Sequence, residues 1–174
     1  TAPQAPELQC TQWFNTDVPV TLAALRGKVV VVEAFQMLCP GCVAHGLPQA
    51  QKLRHVVPEE HVVVLGLHTV FEHHAAMTPV ALQAFLHEYR IQFPVGVDMP
   101  ADTGPIPRTM AAYGMRGTPT LLIIDRAGRL RHQHFGQVED MALGAQVALL
   151  LGEAVGVDTA ASAGAACGVD GACD

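Results

Sequence analysis

The sequence predicts an α/β fold, a three-layer sandwich with helices on both faces of a mixed central sheet. Three observations carry that expectation. Residues 28–35 (KVVVVEAF) and 62–67 (VVVLGL) are apolar runs rich in β-branched side chains, suited to strands buried on both faces. Segments of helical spacing alternate with them: from Pro40, after Thr78, and through Leu143, Val147, Leu150 and Leu151. Late in the chain, residues 121–124, 126–128 and 130–135 read as strand, turn and strand, an antiparallel hairpin. From Lys28 onward the order is β-α-β-α-β-α-β-β-α, the alternation of a layered α/β domain.

Each element has its own local reason. Residues 1–9, with Pro3 and Pro6, form an extended arm, and Trp13 and Phe14 begin a short strand. A turn over residues 17–19 leads to a helical turn over 22–25 that Gly27 ends. Pro40 stands where a helix tolerates a missing N–H, and that helix runs towards Val57 with an interruption near Gly46 and Pro48. Thr78 is an N-cap followed by Pro79 at the first helical position, and Leu82, Phe85, Leu86 and Tyr89 share one face. Residues 93–97 make a short strand, 107–113 a short helix, and Gly152 closes the last helix. The domain therefore spans residues 1–152. Beyond it, 11 of the 22 residues 153–174 are Ala or Gly, which predicts a flexible tail, yet this tail carries Cys167 and Cys173.

Composition removes several functional classes. The chain has 174 residues, 50% hydrophobic, with 10 Lys+Arg against 16 Asp+Glu and a net charge of −6. That apolar content argues against disorder. No Lys/Arg cluster offers a nucleic acid its counter-charge, and no apolar run approaches the ~20 residues of a membrane span. Five cysteines fall short of the roughly 8–10% of a disulfide scaffold. The opening residues show neither the basic start nor the apolar core of an export signal, and no initiator Met. This is expected of a processed chain and leaves periplasm and cytoplasm both open.

The chemistry concentrates at Cys39-Pro40-Gly41-Cys42, which follows an apolar strand and opens a helix. The first cysteine lies beside unpaired N–H groups at the positive end of the helix, which favour its thiolate. The second lies three residues on, within reach of a disulfide. Such a pair can attack a substrate disulfide and then resolve the mixed disulfide. Two other readings compete. Cys39 and Cys42 with Cys167 and Cys173 could hold zinc, although C-x5-C is a poor second half for such a site; or the pair could be inert core cysteines. Glu33, six residues before Cys39, interrupts the valine strand, and burial there raises its pKa.

The blocks VVVVEAFQMLCPGC and GTPTLLIIDRAGRL resemble the thioredoxin-like thiol–disulfide oxidoreductases. The intervening stretch from VVVLGLHTV to FPVGVD resembles the extra αβ unit of the TlpA-like branch, shared with alkyl hydroperoxide reductase/thiol-specific antioxidant (redoxin) domains. The resemblance covers about residues 7–152. It implies a thioredoxin-like fold and exchange with protein thiols and disulfides, coupled to a separate electron donor. It implies no cofactor beyond the Cys39–Cys42 disulfide. Cys39 would be the nucleophile and Cys42 the resolving cysteine. Pro119 would be a cis-proline facing them, with Thr118 offering its backbone to an extended substrate. Glu33 would relay the resolving proton, the alternative being a structural or solvent-facing carboxylate. His45 would tune the thiols or cap a polar pocket. Relative to the family pattern, Pro48 comes six rather than five residues after Cys42, which predicts a π-type bulge near Gly46. CPGC reverses the CGPC of thioredoxin itself, so reductant and oxidant both stay open.

Other residues carry weaker expectations. Cys167 and Cys173 form a second dithiol able to relay with Cys39, or a dispensable pair; Cys10 packs as a small hydrophobe. His68, His73 and His74 follow the second central strand, and His132 and His134 share a strand face. They are read as solvated loop and edge histidines ahead of metal ligands. A thiol peroxidase is the competing enzyme, but its Pro and Thr positions are here Val32 and Gln36. A copper-handling module is the competing binder, but relatives of that kind space their cysteines C-x3-C. The final helix, with Gly144 and Gly152, permits a homodimer.

Overall fold

The computed structural model describes residues 1–154. Six strands form one sheet: β1 (Cys10–Phe14), β2 (Val29–Phe35), β3 (Val62–His68), β4 (Val95–Asp98), β5 (Thr120–Ile124) and β6 (Leu130–Phe135). Their order is β1-β4-β3-β2-β5-β6. β2 runs parallel to β3 and β3 to β4, whereas the β1–β4, β2–β5 and β5–β6 pairs are antiparallel. The helices are α1 (Leu47–Val56), α2 (Pro79–Glu88), α3 (Arg108–Ala112) and α4 (Asp140–Gly152).

The valine run explains the layering. Every residue of β2 is buried, because alternate side chains enter different cores. Val29, Val31 and Phe35 join Leu47, Leu53, Leu82, Leu143 and Val147 on the face covered by α1, α2 and α4. Val30, Val32 and Ala34 join Leu8, Leu22, Met110 and Tyr113 on the face covered by the N-terminal arm and α3. The predicted three-layer sandwich is therefore present, with the β3–α2–β4 unit as its insert. The Thr78 side chain accepts the Ala81 N–H, as an N-cap should. Among the described residues no helix is long and apolar enough to cross a membrane.

Three boundaries differ from expectation. The first strand ends rather than begins at Phe14, and it starts at Cys10 as an edge strand against β4. The fourth strand starts at Val95, since Pro94 has no N–H for the ladder and instead gives its carbonyl to Gly66 N–H at 2.8 Å. His68 belongs to β3 and is 1% exposed, so the solvated reading is corrected for that residue, while His73 and His74 are exposed. The predicted tail, with Cys167 and Cys173, lies outside the described residues.

Candidate active site

The chain leaves β2 at Phe35, turns through Gln36–Leu38 and enters a helix at Pro40. That turn is held by two buried polar side chains, His68 and Gln36, whose part in it sequence reasoning missed. His68 Nε2 accepts the Met37 N–H at 3.3 Å, and its ring packs 5.2 Å from Phe35. Gln36, also 1% exposed, accepts the Phe71 N–H at 3.2 Å and donates to Glu72 at 3.3 Å. A buried amide with both ends committed thus occupies the position where a peroxidase carries its threonine. Burial lowers the His68 pKa to about 4. An ordinary histidine takes up its proton near pH 6.5, so between pH 6.5 and 4 the unfolded chain binds the extra proton. Stability present above pH 6.5 is then lost as the pH falls, by about 3 kcal/mol. Urea melts at pH 4.5 and 7 should show that loss shrinking in His68→Gln, which keeps an acceptor for Met37 but does not titrate.

Cys39 and Cys42 sit at disulfide distance, with Cα atoms 5.2 Å apart. The two are unequal. Cys39 is half-buried, and the Cys42 N–H points at its sulfur from 3.2 Å, where a capping oxygen would sit at an ordinary helix start. Cys42 is fully buried in the core. Across from them the Thr118–Pro119 peptide is cis, and the Thr118 carbonyl oxygen lies 3.5 Å from Cys39 Sγ.

Beyond Cys42 the helix widens. Cys42–Gly46 is a π-turn closed by a Leu47 N–H bond to the Cys42 carbonyl, and α1 continues from there. The extra residue predicted from the Pro48 offset is this bulge. It brings Gly41 and Gly46, five apart, onto Pro119: a Cβ on Gly41 would lie 3.3 Å from Pro119 Cδ, and one on Gly46 3.2 Å from Pro119 Cβ. A Cβ on Gly46 would also overlap Glu33 Oε1 and come 2.9 Å from Glu33 Cδ. The bare backbone of Gly46 is therefore what makes room for the Glu33 carboxyl. Only the oddity of a glycine in an amphipathic helix, which costs about 1 kcal/mol against alanine, signalled this in the sequence.

Glu33 is 1% exposed, and burial pushes its carboxyl well above the usual carboxylate range. Among the described residues its Oε1 has no hydrogen-bond partner. Glu33 lines a cavity of about 250 Å3 that Pro119, His45, Gln49 and Gln137 also line. On one wall Gln49 ties α1 to α4 through Val138 O at 2.7 Å and Asp140 at 2.9 Å. His45 is exposed on the rim. The geometry thus gathers Cys39, Cys42, Thr118, Pro119, Glu33 and His45 around one junction.

The remaining cysteine and histidines stand apart. Cys10 packs over Gly96 beside Trp13, and burial with the Asp98 charge pushes its thiol up to about 12, which makes it a poor nucleophile. His132 and His134 stack in parallel, 5.8 Å apart. Among the described residues no group of three or more His, Cys, Asp or Glu is placed to hold a metal ion.

Known proteins match this arrangement. Residues 2–133 match the AhpC/TSA family. In solved structures the chain is similar to the thioredoxin-like superfamily protein SPOA0173, with 69% identity, a TM-score of 0.86, and 88% of this chain and 99% of that one covered. It is also similar to a thiol-disulfide isomerase from Corynebacterium glutamicum, with 52% identity, a TM-score of 0.84, and 88% and 98% covered. Among curated proteins it is 28% identical over 136 residues to protein DipZ of Mycobacterium bovis, covering 76% of this chain and 18% of that protein. To the thiol-disulfide oxidoreductase ResA of Halalkalibacterium halodurans it is 26% identical over 117 residues, covering 67% of this chain and 59% of that one. The chain thus spans less than two thirds of either curated relative. Fold, cysteine geometry and family match agree: the chain belongs to the AhpC/TSA family, on its thioredoxin-like thiol–disulfide oxidoreductase side.

Proposed function

We propose that the chain exchanges its dithiol with disulfide-bonded protein clients, Cys39 attacking and Cys42 resolving. The inequality of the two cysteines carries this reading: the accessible sulfur accepts a backbone N–H, and the other is sealed in the core. In the reducing direction the Cys39 thiolate attacks one sulfur of a client disulfide. That S–S bond breaks, a mixed disulfide forms, and the first client sulfur leaves as a thiolate that takes up a proton. Cys42 then loses its proton and attacks Cys39, which forms the intramolecular disulfide and frees the second client sulfur. Two electrons have passed to the client, and a separate dithiol donor must return them. The reverse sequence oxidises a client dithiol.

Burial disfavours the Cys42 thiolate, so the resolving step needs a base. A carboxylate with a raised pKa is the stronger base, and burial raises that of Glu33. Thr118 supplies the backbone along which an extended client segment lies, and Pro119 seats that backbone on Gly41 and Gly46. His45 keeps the cavity rim polar. We also assign Cys167 and Cys173 as a second dithiol exchanging with Cys39. About 14 residues of chain separate Cys167 from Glu153, a maximum span of about 45–50 Å, enough to cross the domain.

The test is turnover of a disulfide-bonded protein by the full chain with an external dithiol, run beside peroxide consumption. Client turnover with negligible peroxide consumption is expected, and the converse would favour the peroxidase. A Cys167→Ser/Cys173→Ser chain should turn over more slowly; equal rates would remove the tail relay.

A further inference from the structure

Beside the nucleophile lies a patch that the exchange chemistry leaves unused. Phe135, at the end of β6, is 51% exposed although it pairs with Thr120 in the sheet. Its ring rests against Gly117, where an added Cβ would meet Phe135 Cε2 at 3.0 Å and Cζ at 3.3 Å. The Arg116 guanidinium lies over the same ring, 5.1 Å from its centre, within the range of a cation–π contact. Arg116 is exposed, and among the described residues it forms no ion pair; Glu139 lines the same groove without reaching it. Just past the end of β6 the Gly136 N–H braces the assembly by donating to the Pro119 carbonyl at 2.8 Å. Three consecutive residues therefore pass from a fixed cation (Arg116) through the seat of an exposed aromatic (Gly117) to the carbonyl flanking Cys39 Sγ (Thr118). Leu38, 59% exposed, adjoins Cys39 in sequence.

Building on the exchange reading above, we infer that the Arg116–Phe135 platform selects clients whose reacting cysteine is followed or preceded within a few residues by an acidic side chain. A client segment lying along Thr118 with its sulfur at Cys39 must continue over this platform. There an apolar side chain can cover Phe135, and a carboxylate can meet a guanidinium already held in place by the ring. The net charge of −6 repels acidic clients at long range, so the preference is a short-range property of this cation.

The experiment uses two cystine-linked peptides that differ only in Glu or Lys two residues from the cysteine, prepared with the charge on either side. They are assayed with the full chain and with Arg116→Glu and Phe135→Ala. The readout is the ratio of kcat/KM for the Glu and Lys peptides, so a uniform loss of activity cancels. The parent is expected to favour Glu by about 5-fold at low salt, with the ratio inverted in Arg116→Glu and reduced towards unity in Phe135→Ala. The same ratio in the parent and in Arg116→Glu would overturn the platform. Failure of the parent to turn over even hydroxyethyl disulfide would overturn the exchange reading, and the platform with it.

Discussion

Cys42→Ser is expected to halt the chain on its client as a covalent adduct through Cys39, whereas Cys39→Ser yields no adduct and no turnover. The asymmetry follows from the surroundings of the two sulfurs. Cys39 is reachable, and the Cys42 N–H donates to it at the start of a helix, so its thiolate is stabilised by hydrogen bond and dipole together. Cys42 lies in the core, where burial favours the neutral thiol and excludes a client. Removing the resolver leaves the first step intact and blocks the second, so the mixed disulfide accumulates. Removing the nucleophile should cut exchange by at least about 1,000-fold, as expected when the group that makes the covalent bond is lost. Mass spectrometry of each variant after incubation with an oxidised client reads both outcomes. Adduct formation by Cys39→Ser through Cys42 would reverse the assignment.

Gly46→Ala is expected to destabilise the fold by about 2–3 kcal/mol, against the ordinary rule for a helix interior. In an unconstrained helix glycine to alanine gains about 0.5–1 kcal/mol. Here the added methyl would overlap the Glu33 carboxyl and press on Pro119, displacing the carboxyl from its place and straining that proline contact. The cause can be isolated with a double-mutant cycle. Glu33→Ala removes the overlapped group, so Gly46→Ala should cost at least about 1 kcal/mol less in that background. Urea denaturation of the four chains measures the coupling, and a Gly46→Ala chain that folds only in the Glu33→Ala background would show the same thing. Simple additivity would mean that Glu33 does not occupy the place described for it. Glu33→Gln should in addition slow release of the mixed disulfide and flatten the pH dependence of that step.

The parts of this protein visible in its sequence are those decided by local pattern. The valine run of β2 could only be a strand buried twice, and CPGC after it could only open a helix. Set against the family pattern rather than read from the local sequence, the displacement of Pro48 by one residue pointed to the π-turn. What stayed hidden depends on residues distant in the chain. Gly46 reads as a weak point until β2 places Glu33 beneath it. His68 reads as a loop histidine until β3 extends one residue further and receives the Met37 N–H. Phe135 and Arg116 belong to different segments, and nothing in either announces that Gly117 will seat one under the other. The edge strand β1 shows the same limit: its half-buried pattern acquires a register only through pairing with β4.

The most direct measurement is the rate of alkylation of each cysteine in the reduced chain as a function of pH, read by mass spectrometry of the peptides. Cys39 should react first, with an apparent pKa below the ~8.5 of a free thiol, while Cys42 stays protected until the fold is opened. Faster modification of Cys42, or a Cys39 that titrates at or above the free-thiol value, would contradict the account.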